Sequence, residues 1–110
     1  MYLIIDNQKI LIKNANSFIK RLFGLMGKTE FDYGLLFKKT NSIHTFFMKE
    51  NIDVIAFNNR TNEVIFKALN IPKNKILKIK NKIKNTSVIE LPCNTSKKIK
   101  IGDKLLFTKE

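Results

Sequence analysis

Tryptophan is missing from these 110 residues, and cysteine, histidine, arginine, proline and glycine are scarce. The single cysteine, Cys93, excludes an internal disulfide framework and suits a cytoplasmic protein. One histidine at position 44 and one cysteine at position 93 do not make a zinc signature, so no metal or other cofactor is expected. No apolar run approaches the roughly 18 residues that a membrane-spanning helix requires. The opening MYLIIDNQK has neither a basic segment nor a small-residue cleavage site, so no signal peptide is expected. A phosphate-cradling loop is missing too: Gly24 and Gly27 punctuate a helical pattern instead of forming a glycine-rich turn between strand and helix.

Acidic residues are also few, 9 against 21 lysines and arginines, for a net charge of +12. Only Arg21 and Arg60 are arginines, so lysine carries the charge. Lysine, isoleucine, asparagine and phenylalanine are abundant together, and all have A/T-rich codons, so base bias accounts for much of this charge. Proteins that read phosphates or bases favour arginine forks. Surface lysines in water are therefore the reading adopted, and sequence-specific nucleic-acid binding is not expected. Apolar residues at 44% and charged residues at 27% describe an ordinary globular chain, long enough for one domain over 1–110.

Along the chain, Tyr2 to Ile5 and Lys9 to Lys13 read as a hairpin turning at Asp6-Asn7-Gln8. Asn14 to Ser17 offers caps for a helix near residues 16 to 24, where Phe18, Ile19, Leu22, Phe23, Leu25 and Met26 form an apolar stripe. Gly34 to Phe37 is a short buried strand. Glu63 to Leu69 and Thr86 to Leu91 are further strands, ended by Pro72 and Pro92. Residues 73 to 84 mix lysine with isoleucine and read as a basic excursion. Asn94-Thr95 can cap one helical turn through Ile99, and Lys104 to Thr108 is the last strand.

The stretch Ser42 to Asn58, SIHTFFMKENIDVIAFN, is expected to organise the rest. With Glu50-Asn51 as a two-residue turn, it forms a hairpin in which Met48 faces Asp53, Phe46 faces Ile55 and His44 faces Phe57. Both faces of that hairpin are mostly apolar, which argues for burial on both sides. His44 and Asp53 then share a face roughly 13 Å apart, too far for a direct dyad.

Several segments, taken in order, resemble a small bacterial and archaeal family, domain of unknown function family 192. They are Arg21-Leu22-Phe23-Gly24-Leu25-Met26, Gly34-Leu35-Leu36-Phe37, Ile43-His44-Thr45-Phe46-Phe47-Met48 and Ile52-Asp53-Val54-Ile55-Ala56-Phe57. Val88-Ile89-Glu90-Leu91-Pro92 and Gly102-Asp103-Lys104-Leu105 complete the resemblance. It implies a compact, mainly β domain with one or two short helices and no established activity. Relatives often carry a cysteine where this chain has Asn41, and an aromatic and an arginine where it has Lys73-Asn74. Many relatives are exported or membrane-anchored.

The expected fold is therefore α+β and mainly β, a compact antiparallel-rich sheet or partly closed barrel with one or two short helices. The candidate ligand-binding residues are Arg21, His44, Thr45, Met48 and Asp53. His44 has a reference pKa suited to proton transfer, although polar groups in cores are usually just hydrogen-bonded. Asp53 is either a base or ligand-orienting carboxylate, an acceptor of backbone N–H groups, or a buried partner of Arg21. Met48 and Met26 suit core packing better than metal ligation. Cys93 has no neighbouring base that would make it a nucleophile. The function expected is a non-enzymatic accessory module for an unidentified small ligand or protein. One alternative is a small enzyme using His44 and Asp53 in acid/base chemistry. The other is a weak electrostatic nucleic-acid binder using the lysines of residues 73 to 84.

Overall fold

A computed structural model describes residues 1–14, 33–38, 42–44, 51–72, 76–78 and 85–109. Among these residues there are nine strands and no helix. The helix expected near 16–24 lies outside the described residues.

The first hairpin forms as expected. Strands β1 (Tyr2–Ile5) and β2 (Gln8–Asn14) pair antiparallel, and Ile5 faces Gln8 across a two-residue turn. Asp6 and Asn7 both take positive φ, 49° and 69°. That is the turn whose twist matches the flanking strands, and Asp and Asn tolerate it because their side chains can bond locally. Strand β3 (Tyr33–Phe37) then joins β2 in parallel, Leu11 beside Tyr33 and Lys13 beside Leu35. Parallel neighbours require a long crossover, here residues 15–32. The other pairings of the main sheet are antiparallel, so the sheet is antiparallel-rich as expected, with one parallel pair.

The expected hairpin over Ser42 to Asn58 does not form. Strand β4 (Ser42–His44) pairs with β7 (Ile76–Lys78) in a separate two-stranded ladder. Strand β5 (Ile52–Asn58) instead lies between β6 (Val64–Ile71) and β8 (Thr86–Pro92), so both of its hydrogen-bonding edges are occupied. Phe57 thus faces Val64 and Ser87 in place of His44, and Asp53 faces Leu91 in place of Met48. Alternation of side chains fixes which face each residue takes; it does not choose the neighbouring strand. The other inference from that stretch holds: Ile52 to Phe57 are buried on both faces of the strand.

The main sheet runs β6-β5-β8-β3-β2-β1-β9, with β9 spanning Leu106–Thr108. It curls into a half-barrel, as the expectation of a partly closed barrel allows. Its two ends approach one another just before β6 and β9. There the amide of Val64 donates to Asp103, Gly102 donates to Val64, and Leu105 donates to Asn62, each at 2.8 Å. Gly102 has φ +96°, a conformation that favours glycine at this closing turn.

The interior of the curl is lined from all seven strands, including Leu3, Ile12, Leu36, Phe57, Val64 and Leu91. The Phe57 and Phe107 rings meet across it, 5.7 Å between centroids. A second apolar cluster, with Leu35, Phe37, Ile52, Val54, Ala56 and Val88, covers the outer face of β3, β8, β5 and β6 only. After β8, the helical turn expected over residues 94–99 is replaced by a series of turns. Asn94 takes φ 68°, and the Ile99 N–H donates to the Ser96 carbonyl at 3.1 Å within these turns.

Candidate functional site

Of the five candidate residues, Arg21, Thr45 and Met48 lie outside the described residues. His44 is placed by its backbone in β4, opposite Ile76. Asp53 is fully buried and faces the interior beside Ile55 and Phe57. Where β6 passes it, the register slips between Ile52↔Ile71 and Val54↔Ala68, leaving an extra residue in β6. Asn70 occupies that bulge with φ 56°, and its N–H donates to Asp53 Oδ1 at 2.9 Å. The other carboxylate oxygen accepts the Ser96 hydroxyl at 2.7 Å and the Ser96 N–H at 3.2 Å. Asp53 thus pins both the β6 bulge and the turns after β8, which is the backbone-accepting role weighed for it from sequence. Outside this buried knot, Asn70 Oδ1 accepts the Cys93 thiol at 3.1 Å and the Asn51 amide at 2.8 Å.

A second buried carboxyl was not singled out from sequence. Glu90 is 4% exposed, and burial pushes its pKa up from 4.5 to about 8. Desolvation disfavours the charged form, so this carboxyl keeps its proton at neutral pH. It stands on the outer face of β8, with Leu35 across on β3 and Val54 across on β5. The signal in the sequence was a lone acid in the apolar strand TSVIELP. Asp53 faces inward and Glu90 outward, so these two acids do not form the close carboxylate pair used in acid/base catalysis. Among the described residues, no three His, Cys, Asp or Glu side chains gather as a metal site.

The outer face changes character beyond β3. Following the register, Tyr33 lies beside Leu11, Leu11 beside Tyr2, and Ile4 between Lys9 and Leu106. All point away from the barrel interior, because Leu3, Ile5, Ile12 and Phe107 occupy the inward positions. Leu11 is 37% exposed and Leu106 61% exposed, while the other half of this face is closed core. Lys13 Nζ stands 4.1 Å from the Tyr33 ring centroid, and Lys9 Nζ 5.8 Å from that of Tyr2. No Asp or Glu occurs at the described positions of this open face. The sequence does not mark this surface, because β1 and β2 have the pattern of ordinary alternating strands and only the sheet order decides which alternate side chains stay uncovered.

A described cavity of about 210 Å³ lies at the end of β1, where its lining includes Ile4 and Ile5 together with Asp6, Lys98, Asp103 and Lys104. Lys98 and Asp6 pair there on the surface. No helix of the described residues is long and apolar enough to cross a membrane.

Two solved structures share this architecture. A protein of unknown function from Novosphingobium aromaticivorans superposes with a TM-score of 0.74 at 19% identity, over 96% of this chain and 82% of that one. A protein described as a putative transcription regulator from Sinorhizobium meliloti gives 0.78 at 19% identity, over 96% of this chain and 89% of that one. Such likenesses establish the fold alone. No curated protein matches the sequence. The model of domain of unknown function family 192, described as uncharacterized ACR, matches residues 1–107, and the chain belongs to that family.

Proposed function

We propose that the chain is a non-enzymatic binding module that docks a protein segment on the open outer face of β1, β2 and β9, next to Tyr33. The observation that carries this reading is the change in exposure along one continuous sheet face. Leu35, Val54 and Val88 are closed core, whereas Leu11 and Leu106 meet solvent. Apolar side chains gathered on an exposed surface mark interaction sites more often than singly scattered ones do. A small ligand is less well supported, because the described cavity of about 210 Å³ falls short of the usual size of ligand pockets, roughly 300–1,000 Å³.

The enzymatic alternative loses support because the three described hydrogen bonds of Asp53 go to Asn70 and Ser96, which hold it as a structural acceptor. The module is read as one domain acting in the cytoplasm, in keeping with its lone cysteine. One structural neighbour is called a putative transcription regulator, but at 19% identity that name lends no weight to a nucleic-acid role here.

A peptide-display library panned against the protein tests the reading. Enriched peptides should bind the wild type and lose binding to the double variant Leu11→Asp, Leu106→Asp. Peptides that bind the double variant equally well would place the docking surface elsewhere and overturn the proposal.

A further inference from the structure

We infer that the docked segment is an extended stretch of a partner protein that joins the main sheet as a further strand, pairing with the free edge of β9 through the backbone of Phe107. This rests on the docking reading above and adds how the partner is held. Tyr2 lies opposite Leu11, so Met1 lies opposite Ile12, and the Ile12 N–H donates to the Met1 carbonyl at 2.8 Å. Bonded and non-bonded positions alternate along an antiparallel pair, so Leu3 bonds to β2 while Tyr2 and Ile4 turn their backbone groups to β9. Leu106 and Thr108, opposite Ile4 and Tyr2, therefore bond to β1, and the N–H and C=O of Phe107 point away from it. Leu105 follows the same parity: its N–H donates away from β1, to Asn62 at 2.8 Å. The chain before Asn62 then turns off, with the Asn62 N–H bonded to Asn58 and the Asn59 N–H to Asn85. Among the described residues no strand pairs with β9 on this side. The other end of the sheet is closed. Val64 bonds to Gly102 and Asp103 there, and Lys67 Nζ donates to the Lys97 and Ile99 carbonyls at 3.0 and 2.6 Å.

A row of donors and acceptors at strand spacing is matched by a polypeptide backbone. A residue paired with Phe107 shares its inward side, so the two neighbours of that residue fall on the outer face, beside Leu106 and Thr108. Leu106 is 61% exposed, and the segment gains most where those neighbours are apolar and β-branched. A second copy of this chain is a poorer occupant than a partner. The strand is only three residues long and is followed by Lys109, features that keep edges from pairing with themselves, and each chain carries a charge of +12.

The experiment follows amide hydrogen exchange of isotope-labelled protein by NMR, with acetyl-Thr-Val-Thr-Val-Thr-amide added to millimolar concentration. Without peptide, the Phe107 amide should exchange faster than those of Leu106 and Thr108. With peptide, it should become protected. The same peptide N-methylated at its central threonine keeps every side chain but loses a ladder donor, and should bind at least about tenfold more weakly. Lys109 shares the parity of Phe107, so Lys109→Pro removes an N–H from the free edge alone. That variant should keep the wild-type urea midpoint and bind the unmethylated peptide about fivefold more weakly. A Phe107 amide already as protected as Leu106 and Thr108 in the free protein would overturn the inference. Equal binding of both peptides without protection of Phe107 would overturn it while leaving the docking face standing. No binding of the unmethylated peptide would overturn it too, and the display library with Leu11→Asp, Leu106→Asp then judges the docking reading by itself. Protection of Phe107 that rises with protein concentration alone would give the edge to a second copy and overturn the partner.

Discussion

Glu90 makes a demanding test of how this sheet is packed. Its carboxyl has an ordinary pKa near 4.5 in the unfolded chain and about 8 in the fold, and desolvation alone produces the shift. Between those values the unfolded chain gives up the proton and the folded one keeps it. The stability contributed is then fully present below pH 4.5 and is lost as pH rises through 8. At 1.36 kcal/mol per unit, the loss is about 3 kcal/mol at pH 7 and levels off near about 5 kcal/mol above pH 8. A small domain has only about 5–15 kcal/mol in hand, so an effect of this size is easily measured.

Glu90→Gln keeps the shape and removes the titration. Its burial cost, about 1–3 kcal/mol, is the same at every pH. Urea unfolding of both proteins from pH 5 to pH 8 isolates Glu90, because contributions from other groups cancel in the difference. The wild type should lose about 3–4 kcal/mol relative to the variant across that range. Parallel stability curves would refute the reasoning, and would mean that water or a cation reaches the carboxyl on the outer face of β8.

Asp53→Ala leaves the N–H groups of Asn70 and Ser96 without their acceptor, and should destabilise by about 3–5 kcal/mol. Ser96→Ala should cost about 1–2 kcal/mol, and the double variant clearly less than the sum, measured by urea unfolding; strict additivity would contradict the shared knot. A Cβ built at Gly34 would stand 2.7 Å from Ile12 Cδ1 and 2.9 Å from Leu91 Cδ2, both in the closed interior. Gly34→Ala should therefore cost about 1–3 kcal/mol from overpacking, and an unchanged melting temperature would show that this part of the interior yields.

Strand positions and buried faces were legible in the sequence because they depend on short-range pattern. Tyr2 to Ile5, Gly34 to Phe37, Glu63 to Leu69 and Thr86 to Leu91 all lie on strands, displaced by a residue or two at their ends. Partnership was not legible. The register drawn for Ser42 to Asn58 failed because β5 draws its neighbours from 64–71 and 86–92, and no local pattern encodes that choice. The parallel pairing of β2 with β3 escaped notice for the same reason. At the site, Asp53 was recognisable as an acid in an apolar strand, and acceptance of backbone N–H groups was among its readings. Its donors were not recognisable: Asn70 and Ser96 lie 17 and 43 residues away and are delivered by a bulge and a turn. Glu90 carried the same signal and was passed over beside the histidine and aspartate.

The open face invites a final argument about why leucine stands at position 106. In β9 the interior is served by Phe107, which packs against Phe57, while Leu106 points outward and is 61% exposed. A polar residue there would leave the interior intact, and surface substitutions away from caps and buried polar groups usually change stability by no more than about 0.5 kcal/mol. Stability therefore gives little reason for a leucine at the edge of the sheet, in line with Ile4 and Lys9. Docking does give one, since an exposed apolar side chain beside a lysine gains from being covered by a partner of matching pattern. Stability and binding should thus separate at this position: Leu106→Thr should unfold with wild-type urea dependence while losing affinity for peptides selected on the open face. Loss of both together would mean that Leu106 supports the half-barrel itself.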